Sequence, residues 1–167
     1  PAGGPRSGIF VFYPWTEQTP AGGRPVVGHT VTVSGYYAEY TPPEGGSETL
    51  SELESPLVVD QGPAAAPPAA ALIADPAQLA TGGSLTEAYE GVLVRVENVT
   101  VAGYLQSGPA LGLRLRDSGL IVENKIFDFI GPFPPPIGAS FSSVTGVLHY
   151  SYGNFKILPR CAADLAP

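Results

Sequence analysis

Along "HTVTVSGYYAEY", His29 to Tyr40, apolar and polar positions alternate, setting Val31 and Val33 on one face and Thr30, Thr32 and Ser34 on the other. That period of two predicts a half-buried strand. The same alternation runs through "GVLVRVENVTVAGYL", Gly91 to Leu105, where Val92, Val94 and Val96 oppose Leu93, Arg95 and Glu97. "LGLRLRDSG", Leu111 to Gly119, points Leu111, Leu113 and Leu115 inward and Arg114 and Arg116 outward, and Asp117-Ser118-Gly119 closes it with a turn.

The pattern repeats within the chain. "SGIFVFYP", Ser7 to Pro14, has a near copy in "SGLIVEN", Ser118 to Asn124. "PVVGHTVTVSGYYAEY", from Pro25, has its counterpart in "PPIGASFSSVTGVLHY", from Pro135, and "ETLSELES" has its own in "NFKILPR". Each copy reads as strand, proline-rich connection, strand, turn, strand, and Gly35 and Gly146 fall inside the strand pattern, where a missing side chain lets a sheet coil. Only the second copy has strands before it. Its five strands, at 92–101, 111–116, 119–128, 139–150 and 153–158, suit a five-stranded Greek-key barrel of the OB type.

The fold expected is therefore all-β: two OB-like units in tandem, the first lacking its opening strands. Residues 1–60 form the incomplete unit, 61–90 a Pro/Ala linker with short helical turns, and 91–167 the complete unit. In the linker, Asp75 caps a turn with Pro76 at its first position and Gly82 at its end. Ser84 and Glu87 have capping-box spacing before a second turn closed by Gly91.

"EAYEGVLVRVENVTV" and "VVGHTVTVSGYYAEY" resemble the OB-like β-modules of secreted bacterial proteins, including modules beside endonuclease/exonuclease/phosphatase-type nuclease domains. The resemblance covers about residues 7–60 and 85–160 and implies a fold and a secreted setting. The metal-binding carboxylate, Asn and His sets of that catalytic domain have no counterpart here, so it implies no active site.

Composition narrows the function classes. Of 167 residues 44% are apolar and 14% charged, enough for a packed interior, and 21 Gly and 19 Pro punctuate short apolar runs. Eight cations against fifteen acids leave a net charge of −7, which disfavours a nucleic-acid partner. No run approaches the roughly 20 apolar residues of a membrane span. A chain that starts at Pro1 and holds no Met fits a processed, extracellular or cell-surface protein. Cys161 is the single cysteine, either a small apolar residue or half of an intermolecular disulfide.

Candidate chemistry is sparse. His29 and His149 stand at similar places in their repeats and read as structural. Glu52 and Glu54 share a strand face and read as solvated acids that discourage edge pairing. "NVT" at Asn98 matches a glycosylation acceptor but falls within a strand. No catalytic group, metal site or cofactor is expected. Tyr13, Trp15, Tyr36, Tyr37, Tyr40, Tyr150, Tyr152 and Phe155 are the candidate interface or ligand aromatics, and only Arg24, Lys156 and Arg160 lie near them.

The truncated first repeat predicts an open β-edge beside Ile9, Phe10, Val11 and Phe12. Its partner is another copy of the chain or an upstream segment. The function expected is a non-catalytic structural or interaction module, a self-assembling surface or fibre subunit joined by β-strand addition. The alternative is an accessory module of a secreted hydrolase or nuclease that binds polysaccharide or single-stranded nucleic acid.

Overall fold

The structure is a computed structural model that describes residues 3–12, 23–43, 45–46, 48–66, 68–107, 110–131 and 134–167. Strands hold 49% of the chain and helix 7%, so the protein is all-β. Among the described residues ten strands build two sheets. Strands β1 (Phe10–Val11), β2 (His29–Tyr40) and β3 (Leu50–Pro63) form the first, in the order β1-β3-β2. The second contains β4 (Ala71–Leu72), β5 (Leu93–Ser107), β6 (Ala110–Leu115), β7 (Ile121–Glu123), β8 (Ser140–Ser151), β9 (Asn154–Leu158) and β10 (Leu165–Ala166).

In the second sheet β5 pairs with β6, β6 with β7, β7 in parallel with β9, β9 with β8, and β8 back with β5. The pairing closes on itself. The alternating Val94, Val96, Val101, Leu113, Leu115, Val144, Leu148 and Ile157 fill the ring and are essentially inaccessible. A closed ring leaves no free edge along its own strands and places every second side chain in the interior.

The first sheet repeats three strands of that ring in the same register. β1 lies parallel to β3 and β2 antiparallel to it, as β7 and β8 do to β9. Phe10 corresponds to Ile121, Val33 to Val144, Gly35 to Gly146 and Tyr37 to Leu148, all by one constant offset. The two glycines act alike. A Cβ on Gly146 would meet the Leu158 carbonyl oxygen at 2.5 Å, and one on Gly35 would meet that of Glu54 at 2.7 Å. In each copy the neighbouring strand crosses so closely that only glycine fits where the sheet coils.

One difference between the copies is a corner. β3 is continuous from Leu50 to Pro63, with a register shift opposite Gly35 and Ser55 in a left-handed conformation (φ 49°). In the second copy β9 stops at Leu158, a 3-10 turn covers Ala162–Asp164, and β10 resumes the pairing. Val58 opposite Val33 thus has Leu165 opposite Val144 as its counterpart.

The connecting turns are shorter than the sequence predicts. Asp75 does cap, accepting the Ala77 amide at 3.0 Å with Pro76 following, but the 3-10 turn ends at Leu79, before Gly82. The helix α1 (Thr86–Tyr89) begins after Leu85, with no side-chain cap, so the Ser84/Glu87 capping box does not form. Leu79, Leu85 and Tyr89 pack on the barrel core. β3 takes in Gln61–Pro63, which the sequence reading assigned to the linker, and the linker's Ala71–Leu72 adds in parallel to β5. Strand 119–128 shrinks to Ile121–Glu123 because Asp128 accepts the amides of Ile130 and Gly131 and the side chain of Asn124, curling the chain. Asn98 is exposed at an irregularity of β5 (φ 53°), not in regular pairing.

The first sheet rests on the barrel. Phe10 packs over His149 with ring centroids 5.3 Å apart, Leu50 joins the barrel's core cluster, and the Arg6 amide donates to Ala88 O at 2.6 Å.

Candidate functional site

Of the four edge residues Ile9 to Phe12, Phe10 and Val11 form β1. Phe10 and Val11 pair with Glu52 and Leu53, and the Phe12 amide donates to Leu53 O at 2.9 Å. Among the described residues β1 and β2 pair with no strand except β3. Their counterparts are flanked on both sides: β7 also pairs with β6, and β8 with β5. Leu148 shows what such a flank supplies, donating its amide to Val92 O at 3.0 Å and accepting from the Gly91 amide at 2.8 Å. Tyr37, its counterpart, has no described strand beside it.

Side-chain burial follows the same division. Val122, Val144 and Leu148 are sealed inside the ring, whereas Val11 and Val33 are half-buried and Tyr37 is 63% exposed. A polar cluster occupies the end of this face. The Tyr37 hydroxyl donates to Glu39, which also accepts from Thr49 Oγ1 at 2.7 Å and Ser51 Oγ at 3.0 Å. These bonds, Tyr37's foremost, hold the Glu39 carboxyl below the usual range, and the same contact raises the Tyr37 phenol.

Beneath lies a group that sequence reasoning missed. Glu90 is buried, its Oε2 accepts the Ser51 amide at 2.8 Å, and its Oε1 has no partner among the described residues. Burial, with Glu87 and Glu39 adding repulsion, pushes its carboxyl to about 7. Burial and nearby Glu48 raise Glu87 as well. The sequence places Glu90 in the short helical turn that Gly91 closes, and no local pattern tells that β3 will cover it.

Glu52 departs from the solvated role expected of it. It is buried against the barrel while Glu54 is exposed, and burial followed by repulsion from Glu54 raises the Glu52 carboxyl.

The aromatic set divides. Tyr36 (76% exposed), Tyr37, Tyr40 and Tyr152 reach solvent. Tyr150 and Phe155 lie in the barrel core, ring centroids 4.9 Å apart, and present no surface. Tyr13 and Trp15 fall outside the described residues. Of the cations near these rings, Lys156 is fully buried and binds Glu123 at 2.6 Å, and Arg160 clasps Asp164 through Nε and Nη2 at 2.9 and 2.8 Å. Arg24 lies on an exposed loop.

The histidines are not equivalent. In register His29 matches Ser140 and His149 matches Ala38. His29 Nδ1 meets Asp60 at 2.8 Å near the surface. His149 is buried beside Lys125 Nζ at 3.1 Å, and burial, with Lys125 and Lys156 adding repulsion, drops it to about 3. Cys161 is an exposed free thiol in the corner between β9 and β10. Among the described residues no three acids, histidines or cysteines gather as metal ligands, and no helix is long and apolar enough to cross a membrane. No protein-family model, curated protein or solved structure matches the chain.

Proposed function

We propose that this chain is a non-catalytic extracellular structural or interaction module, two OB-like units in tandem, whose incomplete first unit takes up β-strands from a partner. The strand order of the closed ring, in which the third and fifth strands run parallel and the first and fourth close the circle, supports the OB-like reading. One observation carries the function: among the described residues β1 and β2 have a strand on one flank only, while their counterparts β7 and β8 have one on each. A row of backbone donors and acceptors left on an exposed flank is a template for strand addition. Cation scarcity along the exposed tyrosines weighs against a nucleic-acid role, because single strands bind in basic grooves.

Amide hydrogen exchange on the isolated chain tests this reading. Amides of β2 not bonded to β3 should exchange orders of magnitude faster than those of β8, and addition of a binding partner should slow them. Equal protection of β2 and β8 in a monodisperse monomer would discard it.

A further inference from the structure

The second unit contains a replica of what the first unit lacks among the described residues. β5 and β6 form an antiparallel hairpin that lies between β8 and β7, pairing Leu93 with Val147, Val96 with Val144, Thr100 with Ser140 and Leu113 with Val122. Carried to the first unit by the constant offset between the copies, those partners become Tyr36, Val33, His29 and Val11. The gap between the β2 and β1 flanks therefore has the shape of a hairpin, not of a single strand. A single strand would satisfy one flank and leave the other bare.

We propose, resting on the strand-addition reading above, that the first unit binds a β-hairpin supplied by a polypeptide outside these 167 residues. The first strand of that hairpin runs antiparallel to Tyr36–His29 and its second antiparallel to Phe12–Phe10. Alternate apolar side chains of the hairpin cover Val11, Val33 and Tyr37, as Val94, Val96 and Leu113 cover the corresponding interior of the barrel. Another copy of the chain is the wrong donor. Its β5–β6 hairpin is locked in its own ring, with Val94, Val96, Val101 and Leu113 fully inaccessible, and releasing it would expose that whole core.

The chain's own hairpin provides the probe. A synthetic peptide with the sequence of Gly91 to Asp117 is titrated calorimetrically into the full chain, with hydrogen exchange recorded on the complex. The expected result is one-to-one binding that slows exchange at both His29–Tyr37 and Phe10–Phe12. Tyr37→Ala should weaken it about tenfold, the loss of one aromatic anchor, while Tyr152→Ala, in the β8–β9 turn of the second unit, leaves it unchanged. No binding at millimolar peptide, or protection of one flank alone, overturns the hairpin. If the free chain instead forms dimers or filaments through β2 and ignores the peptide, the hairpin falls and strand addition stands. Should the peptide not bind and the β2 amides already be protected in a free monomer, both fall.

Discussion

Glu90 and His149 make stability respond to pH in opposite directions. The Glu90 carboxyl is raised from 4.5 to about 7, so the folded state holds its proton more tightly than the unfolded chain and stability declines as pH rises across that window. His149 is lowered from 6.5 to about 3, so the unfolded chain binds the proton more tightly and stability declines as pH falls below 6.5. Between pH 4.5 and 6.5 the two slopes offset each other. Glu90→Gln keeps an acceptor for the Ser51 amide and removes the charge. Denaturant midpoints of this variant should rise with pH between 4.5 and 6.5 relative to those of the parent, and at pH 8 it should exceed the parent by about 1–3 kcal/mol, somewhat less than so large a displacement of one carboxyl implies, with allowance for relaxation. A variant that tracks the parent at every pH would mean that Glu90 is hydrated in solution. None of this was legible in the sequence. Burial of Glu90, Glu52 and His149 comes from the first sheet lying on the barrel, a contact between residues far apart in the chain, whereas the in-and-out order of Val92, Val94 and Val96 is local and could be read directly.

At the scale of elements, the repeat was visible because the coil of each sheet demands one residue type at one place. Gly35 and Gly146 meet the same atom of the neighbouring strand, yet their surroundings differ in how far they can yield. Gly146 is enclosed by a closed ring and also faces Ile157 Cγ2 at 2.6 Å. Gly35 lies on a strand with a free flank among the described residues. Alanine at 146 should therefore cost about 2–3 kcal/mol, the upper end for overpacking, and alanine at 35 nearer the lower end, about 1 kcal/mol. Thermal melts would separate them by several degrees, and equal losses would show that the first sheet is held as rigidly as the ring. The two histidines fall at different ladder positions for a related reason. A histidine can occupy either end of a strand without changing the alternation, and only the ladder register tells His29 from the position of His149. The strand expected at 119–128 failed where Asp128 turned the backbone through its own carboxylate, a choice that the apolar pattern does not encode.

The whole molecule is asymmetric in its capacity to stand alone. Residues 64–167 contain the ring and nearly all of its core, whereas the described part of residues 1–63 supplies three strands, two of them with one flank unpaired among the described residues. A fragment of residues 64–167 should fold cooperatively, and a fragment of residues 1–63 should give the circular dichroism of an unfolded chain, since so small a sheet without its barrel buries too little apolar surface. Removing the first sheet also uncovers His149 by taking away Phe10, so its imidazole should titrate closer to 6.5 in the barrel fragment, followed by NMR. A folded 1–63 fragment would count against the need for a partner hairpin.

The corner that β3 turns in three residues, Ser55 to Leu57, takes the second unit a six-residue excursion from Pro159 to Asp164. Both routes deliver the next strand to the same ladder position, so the length of chain between β9 and β10 is not dictated by the barrel. That makes the excursion a natural port. Sequence can be lengthened there, or cargo hung on the exposed Cys161 thiol, without crossing a strand. An attachment at Cys161 also lies in the other unit from the flanks of β1 and β2, so the protein could be immobilised by the second unit while the first remains open to whatever it receives.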